Sequence, residues 1–521
     1  MIRKASLLVA FVTTQALSQE HEHAGTPGEK LGTVHFANSC SPAVAAPFDR
    51  AVTLMHSFEF PAAVKSFNEV LAVDSTCAMA GWGIALSRWT NPMVATLRTP
   101  AALERGRVAA AEASRLAPHA TARERQYISA VNELYADYEH KSQRERQVAY
   151  EKAMADVAAS NPADTEAKIF YAIALVASAP PTDKTYANQM KAGAMLEALW
   201  KVQPNHPGLA HYIIHAYDVP ALADQAQAAA DRYADIAPSA SHALHMPSHT
   251  FTRVGEWQKS VNTNLRSIAA SRAAGQQAEG LHAFDYAIYA YLQMRRDAEA
   301  KKIVEELPAI MATFDPNAVT GAAPGSAGTF ALASIPARYA LERRAWSEAV
   351  ALVPHPTTLR YPEAMTHLTR ALGASHTGAL PLAQSSIDSL DFIHNQLVTS
   401  GDVYWAEQVA IQALEARAAL RFAEGKRGDA MTAMGEAVVR EDATEKSSVT
   451  PGPLVPAHEL YGDMLMEAKQ PADALREYRK SLAKEPNRYR SLNGAMTAAT
   501  LTGNATAAAD YRRQIVKLTA P

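Results

Sequence analysis

From about residue 44 onward, apolar residues recur at steps of three and four, the spacing of a helix that buries one face. The pattern is clearest near the C-terminus. Leu460, Gly462 and Leu465 form one run, and Ala474, Tyr478 and Leu482 a second, with Pro471 opening the second run and Pro486 closing it. This spacing predicts two helices joined by a short turn. Small residues fall where the helices cross, large ones fill the space between hairpins, and a proline stops the second helix. Phe60, Ala63, Phe67 and Leu71 repeat the second run, and Trp257 with Ser260 and Trp346 with Ala349 repeat its opening. Ala226 and Ala230 run to Pro238, twelve residues after Ala226, as Pro486 follows Ala474; Ala430 and Met434 make a shorter copy. Two stretches interrupt the periodicity. Residues 313–328 are rich in Gly, Pro and small polar residues and predict a long loop, and residues 443–453 carry Ser447, Ser448 and two prolines.

The series Ala474-x-x-x-Tyr478-x-x-x-Leu482-x-x-x-Pro486 resembles the second helix of tetratricopeptide repeats, whose period is 34 residues. The resemblance covers most of residues 44–521 and points to an exported bacterial member of that family. Residues 78–204 and 355–425 follow the pattern loosely, and the spacing widens to 40 and 44 in places. The family implies an all-α, right-handed α-solenoid of about nine to eleven hairpins, with first helices lining a concave groove. It divides into an N-terminal solenoid over 44–312 and a C-terminal one over 329–521. Loop 313–328 either separates them or folds over the concave side as a flap.

Composition adds class and compartment. A chain of 521 residues, 48% apolar, has ample material for a large core. A net charge of −3, with no basic stripe interleaved with aromatics, makes no electrostatic case for nucleic acid. Arg3 and Lys4 followed by the apolar run Ala5 to Leu17 read as a secretory signal over residues 1–18, too short to span a bilayer. Residues 19–43 then form a polar leader with His21 and His23, and no later stretch reads as a membrane span in the mature chain. A periplasmic or secreted location is the expectation. Cys40 and Cys77 are the two cysteines, and an oxidising compartment invites their pairing as a disulfide, since a hairpin between them returns both to one end.

Candidate chemistry lies in the histidines. His211 and His215 are followed 34 residues later by His245 and His249, and His242 lies one helical turn before His245. Aligned on Ala226, Ser260 and Ala300, three hairpins place His215, His249 and Tyr289 at one offset, His211, His245 and Asp285 at a second, and His242 and His282 at a third. Offsets of three and four put each set on one helix face. Adjacent helices pack about 10 Å apart, so imidazoles on neighbouring hairpins can converge on one ion. Imidazole suits zinc and copper. The metal candidates are therefore His211, His215, His242, His245, His249, His282 and Asp285.

Asp218, three residues after His215, is a candidate carboxylate beside the metal or ligand. Arg253 extends the His249 face, either to hold an anionic ligand group or to pair with an acid, and Tyr289 completes the set. His56 lies in the first hairpin. Glu459 shares the offset of His211 but opens a late helix. The glutamate of HExxH is missing, which argues against a zincin peptidase, and no phosphate loop or GxSxG elbow appears.

Three explanations of the grid stay open: a metal site, metal-free recognition of a peptide by polar side chains, and packing. The corresponding functions are a groove that binds a transition metal, a peptide or a protein partner, or a zinc or copper enzyme acting on a small-molecule substrate in the same groove. An enzyme requires a roofed pocket with supported ligands, and loop 313–328 is the candidate roof.

Overall fold

The computed structural model describes residues 28–520. The signal expected over residues 1–18, and His21 and His23, lie outside the described residues. Those residues form an all-α solenoid: twenty-five α-helices and three short 3-10 turns, with no strand among them. Two of the helices, Ser241–His245 and Pro247–Arg253, are halves of one helix broken at a proline. The helices therefore pair as twelve successive hairpins, one above the expected range. None of them is long and apolar enough to cross a membrane.

Interlocking of small and large residues sets the hairpin spacing. Tyr478 on the second helix of its hairpin, Pro471–Lys484, lies between Gly462 and Gly494 on the helices before and after it. A Cβ at Gly494 would fall 2.3 Å from the Tyr478 ring, so no larger residue fits there without moving a helix. Phe67 meets Gly83 in the same way. Hairpin turns repeat one left-handed residue. Gly255 takes that position without steric cost at φ +72°, whereas in the first hairpin it falls to Phe58 at φ +57°.

The polar leader is partly structural. Leu31, Val34 and Phe36 are buried, and Phe36 packs against Phe48, Trp82 and Tyr127. Cys40 and Cys77 form a disulfide across the first hairpin, with Cα atoms 4.8 Å apart. Closing a loop of that length contributes about 3–4 kcal/mol in the chain-entropy picture.

Long connections cover the histidine-bearing helices. Residues from 90–99, 312–324 and 443–456 meet over the histidines, so that surface is roofed. The helix after the second connection starts at Gly325, four residues inside the segment read as loop.

Candidate metal centre

Three inner helices supply the histidines: Pro207–Ala216, the broken helix over residues 241–253, and Gln277–Gln293. Every residue of Pro207–Ala216 is buried. Pro207 opens that helix at a position where no N–H is needed. Pro247 cannot donate to the carbonyl four residues back, which splits the second helix at Met246. His245 and His249 still share a face, with ring centroids 5.1 Å apart.

The imidazoles converge on two adjacent points rather than one. One nitrogen from each of His211, His215 and His242 lies within 4.8 Å of the others, and the same holds for His245, His249 and His282. The two triads adjoin: His242 and His245 have centroids 6.0 Å apart, and His215 and His249 6.1 Å. All six rings are at most 5% exposed.

Hydrogen bonds to the far nitrogens fix the tautomers. The Nδ1 of His211 lies 2.7 Å from the carbonyl oxygen of His56, which can only accept. The Nδ1 of His242 lies 2.9 Å from Glu279 Oε1, and that of His249 3.0 Å from Asp218 Oδ2. His245 Nδ1 lies 2.7 Å from Asn264 Oδ1; Asn264 donates through Nδ2 to the Ser260 carbonyl, so its Oδ1 is the acceptor. In each ring Nδ1 carries the proton and Nε2 presents a lone pair. Among the described residues the Nε2 atoms of His211, His215 and His242 have no hydrogen-bond partner, nor does His282 Nδ1. His245 Nε2 and His249 Nε2 face each other across 3.1 Å.

Burial keeps five of these rings, His211, His215, His245, His249 and His282, neutral, the form that binds metal. It drives His211, His215 and His282 well below the ordinary imidazole range, and neighbouring imidazoles add to the effect. His245 is pushed down to about 3 and His249 to about 4, again chiefly by burial. Around them the charges are compensated. Burial opposes ionisation of Asp218, but Lys446, Arg253 and His249 outweigh it and hold its carboxyl well below the usual range. Glu279 behaves alike: burial opposes its charge, while His242, His245 and the Ala323 N–H lower its pKa.

Asp218 stands behind the imidazoles, bridging His249, Arg253 and Lys446. Arg253 directs its guanidinium to the carboxylate and carbonyl of Asp218, the acid pairing that was one of its two expected roles. Asp285, expected among the metal ligands, belongs to neither triad. Its Oδ1 pairs with Arg338 Nε at 2.9 Å, and a buried guanidinium holds a carboxylate more firmly than neutral imidazoles can. Tyr289 is also drawn away, accepting from Arg488 and donating to Glu485. His56 shares Glu166 with His206 and does not join the triads.

Sequence reasoning missed Glu279, Asn264, Lys446, Tyr286 and Phe58. Phe58 is the left-handed residue of its turn, and its buried ring stacks on His215 and His242 and meets His211 edge-on. A bulky residue held at positive φ against a polar cluster is strain retained at a site. That it alone lies among the histidines, while Arg295, Arg344 and Lys469 occupy equivalent turns elsewhere, is visible only in three dimensions.

A strap over residues 446–452 completes the roof. Ser448 and Val449 face a cavity also lined by Asn91, Val94, Ala323, Pro324 and four of the histidines. Arg338 donates to Thr450 Oγ1 and to the carbonyls of Gly452 and Pro453, and Tyr286 donates to the Thr450 carbonyl. On the strap's other side a larger cavity of about 100 Å³ is lined by Tyr361, Trp405, Gln408, Gln412, Glu415 and Lys446, among others.

No family model matches the chain, and no curated protein matches it. Among solved structures it is similar to the human IFIT1 dimer with m7Gppp-AAAA, at 13% identity over 85% of this chain and 90% of that one, with a TM-score of 0.36. It is also similar to yeast Tom70, at 9% identity over 89% of this chain and 96% of that one, again with a TM-score of 0.36.

Proposed function

We propose that this chain is an exported bacterial protein of the tetratricopeptide type that binds a transition metal, copper or zinc, through imidazoles inside its solenoid. One observation carries the reading. His245 and His249 aim two lone pairs at each other across 3.1 Å, with both protons committed to acceptors on the far side. Two lone pairs repel unless a cation lies between them. Imidazoles bound at about 2.0–2.1 Å in a tetrahedral site have nitrogens roughly 3.3 Å apart, close to this spacing. The acceptors behind the rings are those that orient metal-bound histidine and raise its basicity. The Cys40–Cys77 disulfide suits an oxidising compartment.

Burial of the imidazoles under a roof weighs against their use as an open peptide-binding face. The second reading, a metal-dependent enzyme, is favoured by the larger cavity on the far side of the strap. There Gln408 Nε2, Gln412 Oε1 and Trp405 Nε1 have no partner among the described residues, which suits a small polar substrate rather than a protein.

Elemental analysis of the untagged protein tests the metal reading. Copper or zinc is expected to copurify with it. A His211→Ala/His245→Ala variant, which removes one ligand from each triad, should lose at least nine-tenths of that metal. Equal metal in both proteins would overturn the assignment.

A further inference from the structure

Three groups of metal-ligating side chains lie close together inside the N-terminal half, and they differ in how completely their hydrogen bonds are met. In the first, His56, Glu166 and His206, each Glu166 oxygen takes one imidazole, at 2.9 Å in both cases, and His56 Nδ1 meets Tyr212 at 3.1 Å. That group leaves a single buried atom, His206 Nδ1, without a partner among the described residues. The two triads of the metal centre leave more. His211, His215 and His242 each keep a buried Nε2 without a partner. His245, His249 and His282 keep a facing pair of lone pairs and an unpartnered His282 Nδ1.

One ion cannot satisfy both sets. A four-coordinate ion takes four nitrogens at about 2.0–2.1 Å, and six rings are present. They divide three and three by distance, with the nearest centroids between triads 6.0–6.1 Å apart. Three ligands from each side leave each position one coordination site short of a tetrahedron. The open sides meet in the same place. The roofed cavity is lined by His215 and His242 from one triad and by His249 and His282 from the other. It measures about 10 Å³, enough for one water-sized molecule.

Resting on the metal reading above, we propose that the centre is binuclear. His211, His215 and His242 hold one ion, His245, His249 and His282 hold the second, and a ligand the size of water or hydroxide bridges them in the cavity between. All protein ligands are imidazoles and none is a carboxylate, which favours copper or zinc over magnesium, calcium or manganese. The carboxylates Asp218 and Glu279 serve behind the rings, one for each triad.

Titration of metal-free full-length protein with Cu(II), and separately with Zn(II), tests this. Two tightly bound equivalents per chain are expected. The Cu(II)-loaded protein should show a paramagnetic resonance signal well below that of two isolated ions, because bridged neighbours couple. His211→Ala/His215→Ala and His249→Ala/His282→Ala should each retain one equivalent, with the full signal of a single Cu(II). Saturation of the wild-type chain at one equivalent, abolished by either double substitution, would show six histidines serving one ion and overturn the binuclear assignment while leaving the metal reading intact. No tight binding of either ion would overturn both. The wild-type stoichiometry decides the matter even if a variant fails to fold.

Discussion

At the scale of single residues, the centre is defined less by its histidines than by what each ring's second nitrogen touches. Replacing Asp218 or Glu279 by its amide leaves six imidazoles in place but removes the charge that orients one of them. Asp218→Asn and Glu279→Gln are each expected to weaken metal binding about 10–100-fold without changing the number of ions at saturation, as read by competition with a chromophoric chelator. Loss of a whole equivalent would mean that the carboxylate is itself a ligand. The histidines were legible in the sequence because offsets of three, four and 34 are local and repetitive. Their partners were not. Asp285 occupies the same grid, but its role is decided by Arg338, and Tyr289 is claimed by Glu485 and Arg488 far down the chain. Asn264 and Glu279 lie off the grid and matter only because the helices place them behind His245 and His242.

Among the elements, hairpins with the aromatic on the second helix and glycine on its neighbours were readable, as with Tyr478, Gly462 and Gly494. At two places in the stretch 78–204 the order is reversed. Gly106 and Gly193 lie on second helices and receive Tyr135 and Tyr217 from the following segment. The contact is the same, but the motif is absent, which explains the loose fit and the undercount of hairpins. One late helix adds a pH-dependent contact. His458, near the start of Ala457–Glu467, lies between Asp442 and Glu477, with Lys484 and Lys480 pairing those acids in turn. Burial opposes its charge, but the two carboxylates prevail and raise it to about 9. A raised pKa stabilises the fold fully below the ordinary value near 6.5 and loses that contribution as pH climbs through about 9. The melting temperature of His458→Gln should therefore fall below that of the wild type at pH 6, and the gap should close by pH 10. A gap independent of pH would assign His458 to packing alone.

For the whole molecule, the roof changes what a solenoid of hairpins would otherwise be. Residues from three distant connections meet over the imidazoles, and the strap from the C-terminal half is pinned by Arg338 and Tyr286. The sequence marked 313–328 and 443–453 as irregular and could not show that both fold inward. Arg338→Ala leaves Asp285 as an uncompensated buried charge and frees the strap. It is expected to destabilise the fold by about 3–5 kcal/mol in denaturant unfolding, and to speed the escape of bound metal to a chelator at least tenfold. Unchanged escape would remove the strap from the path of the ion. The ribosome makes all six histidines well before it makes residues 446–452. The covering strap therefore comes from a part of the chain made late, and on the metal reading an ion must enter before that strap docks or wait for it to lift.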